Sequence, residues 1–174
     1  MSDIDPMGFL TYPLLNNNVQ DWLLALAVSV LVFLMIRIII GFGVSRMARL
    51  AKQTSTIWDD AITEAVSQTG GLFVLIISLF LGSLFLEFSD RVRGVIVSVT
   101  SIALFIQGGL WLNGIGQFWI REESKRRRKI DPATVTTVSA MGFVGRLVLW
   151  MLVAILMLDN LGFDVTALVA GLGV

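Results

Sequence analysis

Apolar residues run in long blocks along this chain, and the polar residues cluster between them. From Trp22 to Val44 a single charge, Arg37, interrupts the apolar pattern. No charged residue occurs in the 22 positions from Ala65 to Leu86, or in the 27 from Gly94 to Ile120. A fourth block, Thr134 to Leu158, carries only Arg146. About 20 apolar residues cross a bilayer core as a helix, and lipid-embedded backbone must satisfy its own hydrogen bonds. The blocks therefore predict transmembrane helices at about 22–44, 70–88, 95–120 and 134–158. The short alternating strands of a transmembrane barrel do not occur.

The sequence closes on a shorter block, GFDVTALVAGLGV. Asp164 suits a helix cap, and the ten residues from Val165 to Val174 carry no charge. At about 1.5 Å of rise per residue they make roughly half a crossing. The expected fold is an all-α membrane protein with four full transmembrane helices plus the first half of a fifth. Residues 1–20 read as an extracytoplasmic N-terminal segment, 21–160 as the transmembrane helices, and 161–174 as the start of the last one.

Composition sharpens the class. Hydrophobic residues make up 56% of 174 positions and the mean hydropathy is +0.84, against about 45–50% apolar in ordinary soluble domains. With no cysteine there is no disulfide or thiol chemistry, and with no histidine the commonest metal ligand and neutral-pH base is missing. No cofactor or metal is expected. The start, MSDIDPMGFL, holds Asp3 and Asp5 and no basic residue. A cleavable signal needs a positive n-region, so the first span is expected to be retained.

Net charge is zero, but the charges are segregated, and that sets orientation. Arg46, Arg49 and Lys52 lie in the loop 45–69, and Arg121, Lys125, Arg126, Arg127, Arg128 and Lys129 in the loop 121–132. The opposite side has Arg91 and Arg93. Nine against two places both basic loops in the cytoplasm and the N-terminus outside, so the terminal segment starts outside and heads inward. Arg37 and Arg146 then lie in the inner halves of their spans, from which long stems snorkel to the headgroups. A voltage sensor would stack several arginines on one helix; each span here has one.

Three further stretches carry residues that bear on chemistry. In KQTSTIWDDAITEAV, Asp59 and Asp60 are adjacent and point apart on a helix, which disfavours a metal or acid–base pair. Thr56 and Asp59 instead fit a capping pattern opening an amphipathic helix with Trp58 on its apolar face. The run Lys125–Lys129 would suit nucleic acid elsewhere; against an inner leaflet, anionic lipid explains it at about 1 kcal/mol per basic residue, and no nucleic-acid partner is expected. Asp131-Pro132 suits a helix start. Glycines 108, 109, 114, 116, 142 and 145, with Gln107 and Asn113, read as ordinary helix packing. Trp22 and Trp119 are placed for headgroup anchoring.

In the terminal segment Ala167, Ala170 and Gly171 share one small face, with Gly173 beside it. Such a helix packs against copies of itself around a narrow pore, or serves as one more buried helix in a monomeric bundle. The pattern alone leaves both open. LDNLGFDVTALVAGLGV, from Leu158 to Val174, resembles the start of the pore helix in small-conductance mechanosensitive (MscS-type) channels. KIDPATVTTVSAMGFVGRLVLWMLVAILML resembles the span before it, and TSTIWDDAI resembles a family loop.

The resemblance is most specific over Ile130–Val174. It implies a membrane-tension-gated ion channel subunit, an osmotic release valve, assembled as a homo-oligomer and usually a heptamer. Its outer helices would be lipid-facing sensor paddles, and small ions or solutes would pass the pore. It matches Ala170 and Gly173 to small positions where neighbouring pore helices pack. It places the gate and the cytoplasmic vestibule outside this chain, which then reads as the membrane part of a longer subunit. The implied location is a bacterial inner (plasma) membrane, multi-pass. The rival reading is a non-conducting membrane scaffold or accessory subunit. A transporter is disfavoured by the absence of a repeat, and an enzyme by the absence of any nucleophile–base or metal constellation.

Overall fold

The computed structural model describes residues 13–14, 16–50, 63–128, 132–166 and 170–171, with backbone alone at 44–50, 126–128 and 132–136. The described chain is helical: α1 (Val19–Leu50), α2 (described over 63–67), α3 (Gly71–Ser83), α4 (Asp90–Arg128) and α5 (Pro132–Asn160). A two-residue hairpin precedes them, β1 (Pro13–Leu14) paired antiparallel with β2 (Asn17–Asn18). Asn16 sits in the hairpin turn at φ 64°, a left-handed conformation that asparagine tolerates better than most residues.

Among the described residues three helices are long and apolar enough to cross a membrane, over Val19–Gly43, Asp90–Lys125 and Thr137–Asn160. Several predicted boundaries change: α1 runs on to Leu50, into the expected loop 45–69, and α4 begins at Asp90. The expected span at 70–88 forms a 13-residue helix ending at Ser83, about 20 Å long against a hydrocarbon core of about 30 Å. Its last carbonyls turn back at once: Phe85 N–H bonds to Gly82 O at 3.1 Å and Leu86 N–H to Ser83 O at 3.1 Å. Apolar content predicted the segment, but not the 3₁₀-type turn that stops it. The expected loop 121–132 is helical as far as Arg128, so most of the basic run extends α4. Arginine and lysine are good helix formers, and Glu122 and Lys125 pair at i,i+3 with N–O 3.5 Å. Pro132 is the first residue of α5, where its missing N–H costs nothing. Thr56, Trp58, Asp59, Asp60, Lys129 and Asp131 lie outside the described residues.

The chain divides into two compact units, one within Met1–Ile39 and Gly71–Thr100, the other within Ile40–Gly70 and Ser101–Val174. In the first, α1 starts with one of the two bonds of a capping box: Asp21 Oδ2 accepts the Asn18 N–H at 2.9 Å. α1 and α3 pack antiparallel. Gly82 meets Ala25 and Ser29 at one end of the contact, and Gly71 lies beside the Arg37 guanidinium at the other. Ser29 turns its hydroxyl back onto Ala25 O at 2.8 Å, and Ser78 does the same onto Val74 O at 2.7 Å. Both buried serines are satisfied within their own helix, so the interface needs no cross-helix polar partner. The hairpin is fastened by Asn17, whose amide donates to Glu87 O at 2.9 Å and accepts from Glu87 N at 2.7 Å. An apolar cavity of about 400 Å³ lies between α1, α3 and the first turns of α4.

The second unit is centred on Gln107, 2% exposed. Its Oε1 accepts the Gly70 N–H at 3.1 Å and its Nε2 donates to Gln68 O at 3.2 Å. One turn on, Trp111 Nε1 donates to Thr69 Oγ1 at 3.1 Å. The segment 68–70 is thereby pinned to the side of α4. α4 and α5 run antiparallel, in contact where Gly109 meets Val153 and Trp150 and again where Gly142 meets Ile120. A Cβ on Gly142 would sit 2.5 Å from Ile120 Cδ1, so a larger residue there would have to displace the Ile120 side chain.

Candidate pore entrance and membrane anchors

The end of α5 is built to reverse the chain. Gly162 adopts φ +84°, the left-handed conformation that glycine reaches without a Cβ clash. Phe163 N–H bonds to Leu158 O at 3.0 Å and Gly162 N–H to Asp159 O at 2.9 Å. These are the two bonds of a Schellman motif. The next helix begins at once: Asp164 Oδ1 accepts the Thr166 N–H at 2.9 Å, an N-cap bond satisfying an otherwise orphan donor. Thr166, Ala170 and Gly171 are helical and exposed. Ala167 and Gly173 lie outside the described residues. The sequence motif LGFD is therefore a stop followed directly by a start.

Hydrogen bonds from the side chain and backbone of Thr166 hold the Asp164 carboxyl below its ordinary value of 3.8. A carboxylate with a depressed native pKa stabilises above its unfolded pKa, and the effect is lost as pH falls through the native value. The Thr166 amide resonance should therefore stay constant from neutral pH down past 3.8 and move only at lower pH. In Asp164→Asn it should show no such acid transition. A midpoint at or above 3.8 in the native chain would mean that the cap bond does not form in solution.

The residues expected from the sequence to anchor in the headgroups fall in both units. Trp22 donates Nε1 to Leu14 O at 3.1 Å and meets Phe88 edge-on, with centroids 6.1 Å apart. Its indole thus ties the hairpin to α1 rather than standing free. Arg37 lies over the Phe33 ring at 5.7 Å, a cation–π contact that shelters part of the guanidinium. Trp119 is exposed, Lys125 is exposed beside Glu122, and Arg146 is exposed on α5. Arg126, Arg127 and Arg128 are placed on α4 by backbone alone. Arg121 pairs with Glu64 at 3.1 Å.

Two features escaped the sequence reading, the Gln107 clasp and the Asn17 fastening. Both join residues at least 37 apart, and polar pairing at that range leaves no periodic trace. Among the described residues no group of three acidic, histidine or cysteine side chains could hold a metal.

No protein-family model matches the chain, and no solved structure matches it. A curated relative does. The large-conductance mechanosensitive channel MscMJLR of Methanocaldococcus jannaschii is 25% identical over 166 residues. The match covers 92% of this chain and 45% of that protein, so the chain spans a little under half the length of the relative. The relative is a channel and not an enzyme. With three long apolar helices and a match over nearly its whole length, the chain is a multi-pass membrane protein and a distant homologue of a mechanosensitive channel.

Proposed function

We propose that this chain is the membrane-embedded part of a tension-gated channel subunit, with the helix that starts at Asp164 lining the pore entrance. The observation that carries this reading is the match to a mechanosensitive channel across 92% of the chain. The abrupt stop and start at Leu161–Thr166 supports it, because a pore helix must leave the preceding span without a slack linker through which force would be lost.

Four crossings alternate in direction, consistent with the antiparallel contacts of α1 with α3 and of α4 with α5. α3 crosses despite its length by enlisting the apolar turn Leu84–Leu86 and thinning the bilayer locally. The basic end of α4 faces the cytoplasm of the cell, against anionic lipid of the inner leaflet, and the hairpin faces outward. Copies of the subunit, seven in the arrangement the family resemblance implies, pack their small-sided terminal helices into a ring through Ala167, Ala170, Gly171 and Gly173. Tension favours the open state in proportion to its larger in-plane area, a shift between pre-existing states. Small ions and solutes pass when the ring widens.

Cells stripped of their own mechanosensitive channels test the physiological role. Expression of the full-length protein should raise their survival after sudden dilution several-fold. Unchanged survival, with the protein shown to be inserted in the plasma membrane, would count against the release-valve reading.

A further inference from the structure

Three polar side chains of the second unit line one cleft and, among the described residues, have no partner. Between α4 and α5 the contacts at Gly109 and Gly142 bracket an open cleft of about 720 Å³. Asn113, Gln117 and Arg146 line it. Among the described residues none of the three makes a hydrogen bond or ion pair. Asn113 and Gln117 are four residues apart and so share a face of α4. The contacts of Gly109 with Val153 and of Ile120 with Gly142 set a register that puts Gly116 level with Arg146. Gly116 and Gly145 border the cleft, and a Cβ on either would meet nothing within 4 Å. The gap is therefore made by absent side chains opposite an arginine.

In a soluble protein these groups would be hydrated. On α4 and α5 within a bilayer, unmade hydrogen bonds and an unpaired guanidinium carry a substantial cost. Glu123, also lining the cleft, lies about 10 Å along the helix axis from the level of Arg146 and already has an interaction of its own. What is missing is an anion with several acceptor oxygens. The guanidinium fork matches phosphate geometry, and the two amides supply further donors. Leu112, Met141 and Leu149 make the rest of the lining apolar, which suits a hydrocarbon chain and not a hydrated free ion.

We propose that this cleft binds one anionic phospholipid, its phosphodiester held by Arg146, Asn113 and Gln117 and an acyl chain lying against the apolar wall. The proposal rests on the membrane placement of α4 and α5 and is independent of tension gating. A channel that gates normally with an empty cleft would overturn it without touching the functional reading.

Native mass spectrometry of the purified full chain in detergent tests it, with phosphatidylglycerol, diacylglycerol and inorganic phosphate as probes. Phosphatidylglycerol should be retained on the native chain. Arg146→Gln should weaken that binding about tenfold, the worth of a charge-assisted hydrogen bond. Gly116→Leu, which fills the cleft from a position with free space, should weaken it comparably while leaving helicity unchanged. Diacylglycerol, lacking the phosphate, should not be retained, and inorganic phosphate should not displace the lipid. Equal phosphatidylglycerol binding by the native chain and both variants would overturn the proposal. So would diacylglycerol binding as well as phosphatidylglycerol, or displacement by inorganic phosphate, which would mark a site for a free anion. Loss of self-association in Gly116→Leu with lipid binding intact would assign the cleft to a second copy of the chain instead.

Discussion

Gly82→Val is expected to destabilise the first unit by about 2–3 kcal/mol, the range for overpacking a close contact. A Cβ at residue 82 would collide with the Ala25 carbonyl and the Ser29 hydroxyl. Neither yields readily: the carbonyl belongs to the α1 backbone, and the hydroxyl is held to that same carbonyl at 2.8 Å. The helices must therefore separate, which opens the packing around Val74 and Ser78, both buried. Thermal unfolding in detergent checks this, with Gly94→Val as control, since a Cβ on Gly94 would meet nothing within 4 Å. Equal losses in the two variants would mean that α1 and α3 do not approach at Gly82.

Gln107→Leu should have a comparable effect by a different route. It leaves the Gly70 N–H and the Gln68 carbonyl, both part-buried, without their partner, at no more than about 1–3 kcal/mol for each group. Interhelical polar contacts in membrane proteins contribute less than this on average, so a total of about 2 kcal/mol is expected. Gln107→Glu separates the two bonds, because a carboxylate still accepts from Gly70 but no longer donates to Gln68. Hydrogen exchange at the Gly70 amide should accelerate strongly in the leucine variant and much less in the glutamate one. Identical exchange in native and leucine chains would remove the clasp from the account.

The two variants act on features that differ in how far the sequence disclosed them. Glycine among apolar residues signals close helix approach in general, but it does not say which glycine is closest. Gly82 and Gly142 meet neighbouring atoms, whereas Gly116 and Gly145 border open space. Composition treats the four alike. The same holds for the amides. Gln107 and Asn113 look alike as packing groups on one helix, yet the first is bonded at both its oxygen and its nitrogen and the second lines the α4–α5 cleft. Their difference is set by what a distant segment brings alongside.

Features governed by near neighbours were read more successfully. Asp164 caps as its spacing predicts, Pro132 opens α5, and the long apolar blocks form helices. Where local rules conflict, the outcome was less legible. The block 70–88 is apolar throughout its first part, but Ser83 and the turn after it end α3 early. In the run 121–128, charge suggested a loop while helix propensity favoured continuation, and propensity prevailed. Of the proposed pore entrance, the sequence disclosed the cap at Asp164; the small face belongs to the proposal. The proposed assembly into a pore would depend on copies of the chain, which no single-chain pattern encodes.

Current recorded under suction from the full-length protein in liposomes tests the central claim most directly. Opening should be rare at rest and should rise steeply with membrane tension, as expected when the open state occupies more area in the bilayer. A folded, inserted and oligomeric protein whose current is absent, or present but indifferent to tension up to patch rupture, would contradict it.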